Sequence, residues 1–138
     1  MSEKLTIDPD LCIIHTHKRG MISPELAKQL DPVNPATFHQ YVLGPKSPVE
    51  LHYHDMDEYW WFTGGTPLVT LWTPETGLRE YQLEPGDMVA CRRGVAHTLW
   101  AEHTLIYHQF SSVLRPGARG GHLTEGLPHF DKTRGGKS

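Results

Sequence analysis

The segment His52-Tyr53-His54-Asp55-Met56-Asp57-Glu58, with His97 further along the chain, brings together three imidazoles and a carboxylate. Such a mixed N/O donor set suits a divalent transition metal such as Fe, Mn, Ni or Zn. Two histidines one residue apart project to the same face of a strand, because side chains alternate at period two. Glu58 joins that face if the strand resumes after a short bend. An isolated H-x-H is more often a pair of ordinary, satisfied histidines; Glu58 and a distant G-x-x-H at Gly94–His97 argue against coincidence.

The elements that must carry these residues read as short strands. Phe38–Leu43, Val49–His54, Glu58–Thr63 and Pro67–Trp72 are rich in aromatic and β-branched residues and are separated by Gly/Pro turns. Arg79–Leu83, Met88–Cys91, Thr98–Trp100 and Thr104–Ser112 continue the series. Strands of this spacing predict an antiparallel sandwich or barrel, a jelly roll among them. Residues 1–36 read as an irregular arm punctuated by Asp8-Pro9, Asp31-Pro32 and Asn34-Pro35. Within it, Ser23–Leu30 reads as a short helix with Ser23 as N-cap and Pro24 at the first helical position. Residues 37–114 form the barrel domain. Residues 115–138 form a flexible tail, and the closing Lys-Thr-Arg-Gly-Gly-Lys-Ser is expected to be disordered.

Composition narrows the function classes. The chain has 138 residues, about the length of one domain, and its 10 histidines are the compositional outlier. A formal net charge of −3 offers nothing that would draw nucleic acid or an anionic membrane. No apolar run is long enough to span a bilayer. With no signal peptide, Cys12 and Cys91 read as reduced thiols in a cytoplasmic protein.

At this point the chain resembles the cupin superfamily. The first cupin motif, G-x5-H-x-H-x3,4-E-x6-G, is matched by His52, His54, Glu58 and Gly65, with Gly44 two residues early for the leading glycine. The second, G-x5-P-x-G-x2-H-x3-N, is matched by Gly86, Gly94 and His97; Arg92 stands at the usual proline and Ala101 at the usual asparagine. Neither departure touches a ligand. The resemblance covers roughly residues 38–112 and implies an all-β, cupin-type double-stranded β-helix (a jelly-roll barrel) with the metal inside, held by His52, His54, Glu58 and His97. Four protein ligands on a six-coordinate ion leave two positions for water, dioxygen or a chelating substrate.

Further candidates follow from strand alternation. Trp60 and Phe62 face inward with the ligands, as pocket wall or, more commonly, as plain core; either way they are the aromatic candidates for substrate contact. Tyr59 and Trp61 face outward, where large aromatics mark an interface, so a homodimer is expected. His39 shares a face with Tyr41, and Ile106, His108 and Phe110 share one opposite to Tyr107 and Gln109. His108 and Tyr41 are taken as the proton-transfer candidates. Arg92 and Arg93 lie where a pocket mouth is expected, and Arg92, with His39, completes the substrate-binding candidates; for the arginines a solvated turn is the bland alternative. His15 and His17 form a second H-x-H without a following carboxylate and read as a surface pair.

Three functions compete. The first is an enzyme using the metal as a Lewis acid on a small polar substrate such as a sugar or hydroxy acid: an isomerase, lyase or dehydratase. The second is an Fe-dependent dioxygenase. The third is a non-catalytic binding or sensing domain, disfavoured because no helix-turn-helix-like segment accompanies it.

Overall fold

A computed structural model of the chain describes residues 7–131. The architecture is nearly all β. One antiparallel sheet has the order β1-β6-β3-β8-β2, built from Ile13–His15 (β1), Val33–Leu43 (β2), Glu58–Gly64 (β3), Asp87–Cys91 (β6) and Leu105–Ser112 (β8). A second has the order β5-β4-β7, from Leu68–Thr73 (β4), Gly77–Gln82 (β5) and Ala96–Trp100 (β7). Their inner faces share one core, in which Phe62 from the first sheet meets Val69 and Leu71 from the second. Burying each such side chain contributes about 1.5–3 kcal/mol. Among the described residues, no helix is long and apolar enough to cross a membrane.

The strands differ from expectation at several places: β2 starts at Val33, inside the expected arm, and two further differences bear on the site. The segment 49–54 is not a strand: it makes only single-residue pairings, His52 with His97 and Tyr53 with Leu123. It follows Pro45 and Pro48, which lack the donors a continuous ladder requires. Conversely, the arm is not wholly irregular, because Ile13–His15 pairs with Asp87–Val89 and extends the first sheet as β1. Both His15 Nδ1 and His17 Nδ1 reach the buried Asp87 carboxylate, at 2.7 and 3.1 Å, so this pair, exposed as the sequence suggested, also anchors the arm.

The predicted helix is real but short. It spans Pro24–Ala27 (α1), with the Ser23 hydroxyl accepting the Leu26 N–H at 3.1 Å as the cap and Leu26 fully buried. Tyr59, expected to stand exposed, is buried within its own chain and stacks on Phe110 with ring centroids 4.7 Å apart. Trp61 does remain partly exposed, as do Phe38 and Val42 on the same outer face. Both cysteines are free and buried. Residues 115–131, read from the sequence as a tail, return to the barrel, where Leu123 pairs with Tyr53. The expected disorder at the end of the tail falls outside the described residues.

Candidate metal centre

The backbone fixes the ligands before any side chain does. His52 and His97 exchange both main-chain hydrogen bonds, with the His97 N–H donating to the His52 carbonyl at 2.7 Å and the His52 N–H to the His97 carbonyl at 3.2 Å. Directly opposed residues of this kind carry neighbouring side chains, and the two rings lie 4.6 Å apart. His54 follows on the same face and Glu58 opens β3 after a bend at residues 55–57.

Asp57 holds that bend. Its buried carboxylate accepts the Asp31 N–H at 2.7 Å, the Arg93 N–H at 2.8 Å and the Arg93 guanidinium at 3.2 Å. Its own N–H donates to the Ser112 hydroxyl at 3.0 Å. One residue therefore joins the loop between His54 and Glu58 to the turn before His97 and to the arm through its side chain, and to the end of β8 through its backbone. At that turn Gly94 has φ +87°, a region that side chains disfavour, and its N–H donates to the His54 carbonyl at 3.0 Å.

His52, His54, Glu58 and His97 are all buried, and one donor atom from each lies within 4.8 Å of the others. The histidines are held in matching tautomers. Their Nδ1 atoms face backbone carbonyls of Glu50 (2.8 Å), Gly121 (3.0 Å) and Val95 (3.1 Å), and a carbonyl only accepts, so each Nδ1 carries the proton. Cys91 Sγ also lies 2.9 Å from His97 Nδ1. The Nε2 lone pairs are left pointing at one another. Those of His54 and His97 are buried without a directed hydrogen-bond partner, although Glu58 oxygens approach to 3.4 and 3.2 Å. Buried acceptors with no donor are costly, and a divalent cation satisfies all of them at once. The residues fit a transition metal.

Glu58 is itself oriented. Trp60 Nε1 donates to Oε2 and Gln109 Nε2 to Oε1, both at 3.0 Å. Burial raises its pKa, but once the imidazoles are protonated the hydrogen bond from His97 and the fields of His97, His54 and His52 outweigh burial and hold the carboxyl at about 2. Burial, reinforced by His97, lowers His52 to about 3, and burial likewise lowers His54. The lowered His52 and His54 and the acidic Glu58 favour the ionisation states that metal ligation requires.

A cavity of about 170 Å³ abuts this cluster. His52, Glu58 and Trp60 form its floor, Val49 and Leu99 supply apolar wall, and Tyr41, Tyr107, Gln109 and His122 supply polar wall. Tyr41 lines the cavity, and Trp60 both lines it and holds Glu58. Phe62 is fully buried core and does not line the cavity. His39 packs edge-on against Tyr41, with ring centroids 4.5 Å apart, but lies exposed outside the cavity wall. His108 points away. Trp60 pairs with Gln109 and Phe62 with Tyr107 across β3 and β8, so these partners share the inward face and His108 is turned to the outer one. There it stacks against Phe38 at 5.5 Å and Trp61 at 5.8 Å. Arg92 lines a separate groove of about 590 Å³ with Arg93, Arg115 and Arg119, on the other side of His54.

Sequence reasoning missed four residues of the site. Gln109 and Tyr107 were recognised as one face of β8, but which face pointed inward was open. Asp57 sat unremarked between two ligands. His122 had no local signal; its ring stacks on His52 with centroids 3.7 Å apart and planes 16° apart.

No family model matches the chain. A curated relative, the uncharacterised protein y4oW of Sinorhizobium fredii, is 33% identical over 103 residues, which cover 62% of this chain. The chain spans 44% of that relative's length. Among solved structures, a dTDP sugar isomerase from Desulfovibrio desulfuricans G20 superposes with a TM-score of 0.53 at 14% identity, covering 67% of each chain. The Mn(II)-containing oxalate decarboxylase of Bacillus subtilis gives 0.51 at 15% identity, over 59% of this chain and 22% of that one. Vicilin from tomato, Solanum lycopersicum, gives 0.51 at 20% identity, over 59% and 24%. These neighbours are cupin-fold proteins. The fold of this chain is the cupin β-barrel, and its buried His-His-Glu-His cluster fits the two cupin motifs.

Proposed function

We propose that this chain is a metal-dependent enzyme acting on a small, oxygen-bearing substrate of hydroxy-acid size, as an isomerase, lyase or dehydratase. The observation that carries the reading is one cavity whose floor contains His52 and Glu58 and whose wall contains the phenols of Tyr41 and Tyr107. A divalent transition metal held by His52, His54, Glu58 and His97 would supply a Lewis acid that polarises a carbonyl or hydroxyl oxygen.

The remaining roles belong to the chain. Burial pushes the Tyr107 phenol well above its ordinary range, so it stays protonated and is available as a donor to a ligand in the cavity. Tyr41, 42% exposed, spans cavity and solvent and is placed to carry a proton between them. Trp60 and Gln109 keep Glu58 in one orientation, and Val49 and Leu99 exclude water. Size selects among substrates. The cavity, about 170 Å³, lies below the roughly 300–1,000 Å³ of drug-sized ligand sites. That suits a hydroxy or keto acid of a few carbons and is too small for a whole sugar nucleotide. The partly exposed Phe38, Val42 and Trp61 support a homodimer through this outer face; a monomeric mass by light scattering at micromolar concentration would refute it.

The test begins with metal analysis of protein purified without added metal, followed by a screen of short hydroxy acids. One transition metal per chain and turnover without oxygen uptake are expected. Tyr41→Phe is expected to lower kcat by about 10²–10⁴-fold, the range for general acid–base groups, at unchanged metal content. Iron with substrate-dependent oxygen uptake would replace the Lewis-acid reading by a dioxygenase. Failure of the wild type to bind Fe, Mn, Ni or Zn in titration would overturn it.

A further inference from the structure

We infer that the C-terminal segment 119–125 is a strap whose docking sets the affinity of the metal centre, so that occupancy and docking reinforce one another. The inference rests on the metal-binding reading and adds a regulating element to it. The decisive asymmetry lies in the second partners of the ligand histidines. His52 and His97 each find a carbonyl two residues back in their own segment, at Glu50 and Val95. His54 finds its carbonyl at Gly121, 67 residues away. Only this ligand depends on a distant part of the chain for its tautomer and ring orientation.

The strap is docked by groups that flank His54 itself. Arg119 forks onto Asp55 through Nε at 2.8 Å and Nη2 at 3.1 Å, and its backbone N–H reaches the same carboxylate at 2.9 Å. Tyr53 and Leu123 exchange both backbone hydrogen bonds, at 2.9 and 3.0 Å. Between these anchors Gly121 adopts φ +75°, which aims its carbonyl, and a Cβ there would meet nothing within 4 Å. The glycine is needed for conformation, not for space. His122 then lies flat on His52 and closes one wall of the cavity. When the strap lifts, His54 Nδ1 loses its acceptor and the cavity opens.

The linkage has a size. Loss of the outer partner of a ligating histidine lowers metal affinity about 10–100-fold. By thermodynamic reciprocity, metal must then favour the docked strap by the same factor. Arg119 supplies the readout, because trypsin cleavage after it requires an undocked strap.

The experiment measures Zn(II) affinity by chelator competition and the rate of cleavage after Arg119 by mass spectrometry. The proteins are the wild type, Gly121→Val and the double variant Arg119→Gln/Leu123→Pro. Saturating Zn(II) is expected to slow cleavage of the wild type at least about tenfold, and both variants are expected to bind Zn(II) about 10–100-fold more weakly. Wild-type protein that binds Zn(II) but is cleaved equally fast with and without it overturns the strap while leaving the metal site standing. Variants that fold, by circular dichroism, and bind Zn(II) as the wild type does overturn it equally. If a variant fails to fold, protection of the wild type decides alone. Wild type that binds no metal sinks both.

Discussion

Replacing Asp57 with alanine tests whether one buried carboxylate assembles the centre. The side chain is fully buried and is not a ligand, yet it receives two backbone N–H groups, from Asp31 and Arg93, and the Arg93 guanidinium. Removing one partner of a buried ion pair costs about 3–5 kcal/mol when the other charge is left uncompensated. Here the loss is smaller than that ceiling, since Asp31 Oδ2 stays 3.6 Å from Arg93 and the Gln29 carbonyl still accepts from it at 2.9 Å. The two orphaned N–H groups add about 1–3 kcal/mol each if they stay dry. Because these contributions overlap, the net expectation is about 3–4 kcal/mol, a large part of the 5–15 kcal/mol typical of a domain. At about 4 °C per kcal/mol for a chain of this size, Tm should fall by about 12–16 °C. Thermal unfolding followed by circular dichroism in chelator, so that metal does not contribute, is the assay. Asp57→Asn, which keeps one acceptor, should fall between alanine and wild type. A shift below about 4 °C for the alanine variant would show that the loop between His54 and Glu58 is held by other groups.

Two other outcomes follow from the site. The metal-free protein should lose stability as pH falls from neutral, for two reasons with the same sign. Unfolded His52 takes up a proton near 6.5 while folded His52 resists until about 3, so stability is lost between those values, at up to about 1.4 kcal/mol per pH unit. Glu58 adds to the loss from about 4.5 down to about 2, because its folded carboxyl is the more acidic. Urea midpoints that are flat between pH 7 and pH 4 would contradict both. Gln109→Leu, which removes the donor to Glu58 Oε1, should weaken metal binding about 10–100-fold; chelator competition that returns the wild-type affinity would show that Trp60 alone orients the carboxylate.

The four candidate ligands were legible because their spacing within two short motifs is a local fact. An H-x-H pair needs only alternation to share a face, and a four-residue step to Glu58 needs only a bend. The all-β class was legible for the same reason, through turn residues between short β-branched runs. What escaped was register. Nothing in Leu105–Ser112 says which alternate set points inward, and the answer comes from pairing with β3, where Trp60 opposes Gln109. His108, the more familiar catalytic type, was therefore preferred over Tyr107 and Gln109 and proved to lie on the outer face. β1 escaped because three residues cannot display a period. The segment 49–54 looked like a strand from composition, but among the described residues it makes only the isolated pairings with His97 and Leu123.

The charge of the centre bears on its substrate. With its imidazoles neutral, the cluster contributes one negative charge, that of Glu58, against the two positive charges of a divalent ion. No other lining residue of the cavity is a lysine, arginine, aspartate or glutamate. A loaded site is therefore left with uncompensated positive charge in a partly apolar space, where charges interact strongly. An anionic ligand neutralises it at once, and a carboxylate that also offers an α-hydroxyl does so while presenting a second oxygen. A neutral polyol of equal size leaves the excess charge in place. For the proposed enzyme, charge therefore favours a hydroxy acid over a neutral polyol of equal size, and Glu58 as the lone carboxylate of the cavity sets the sign.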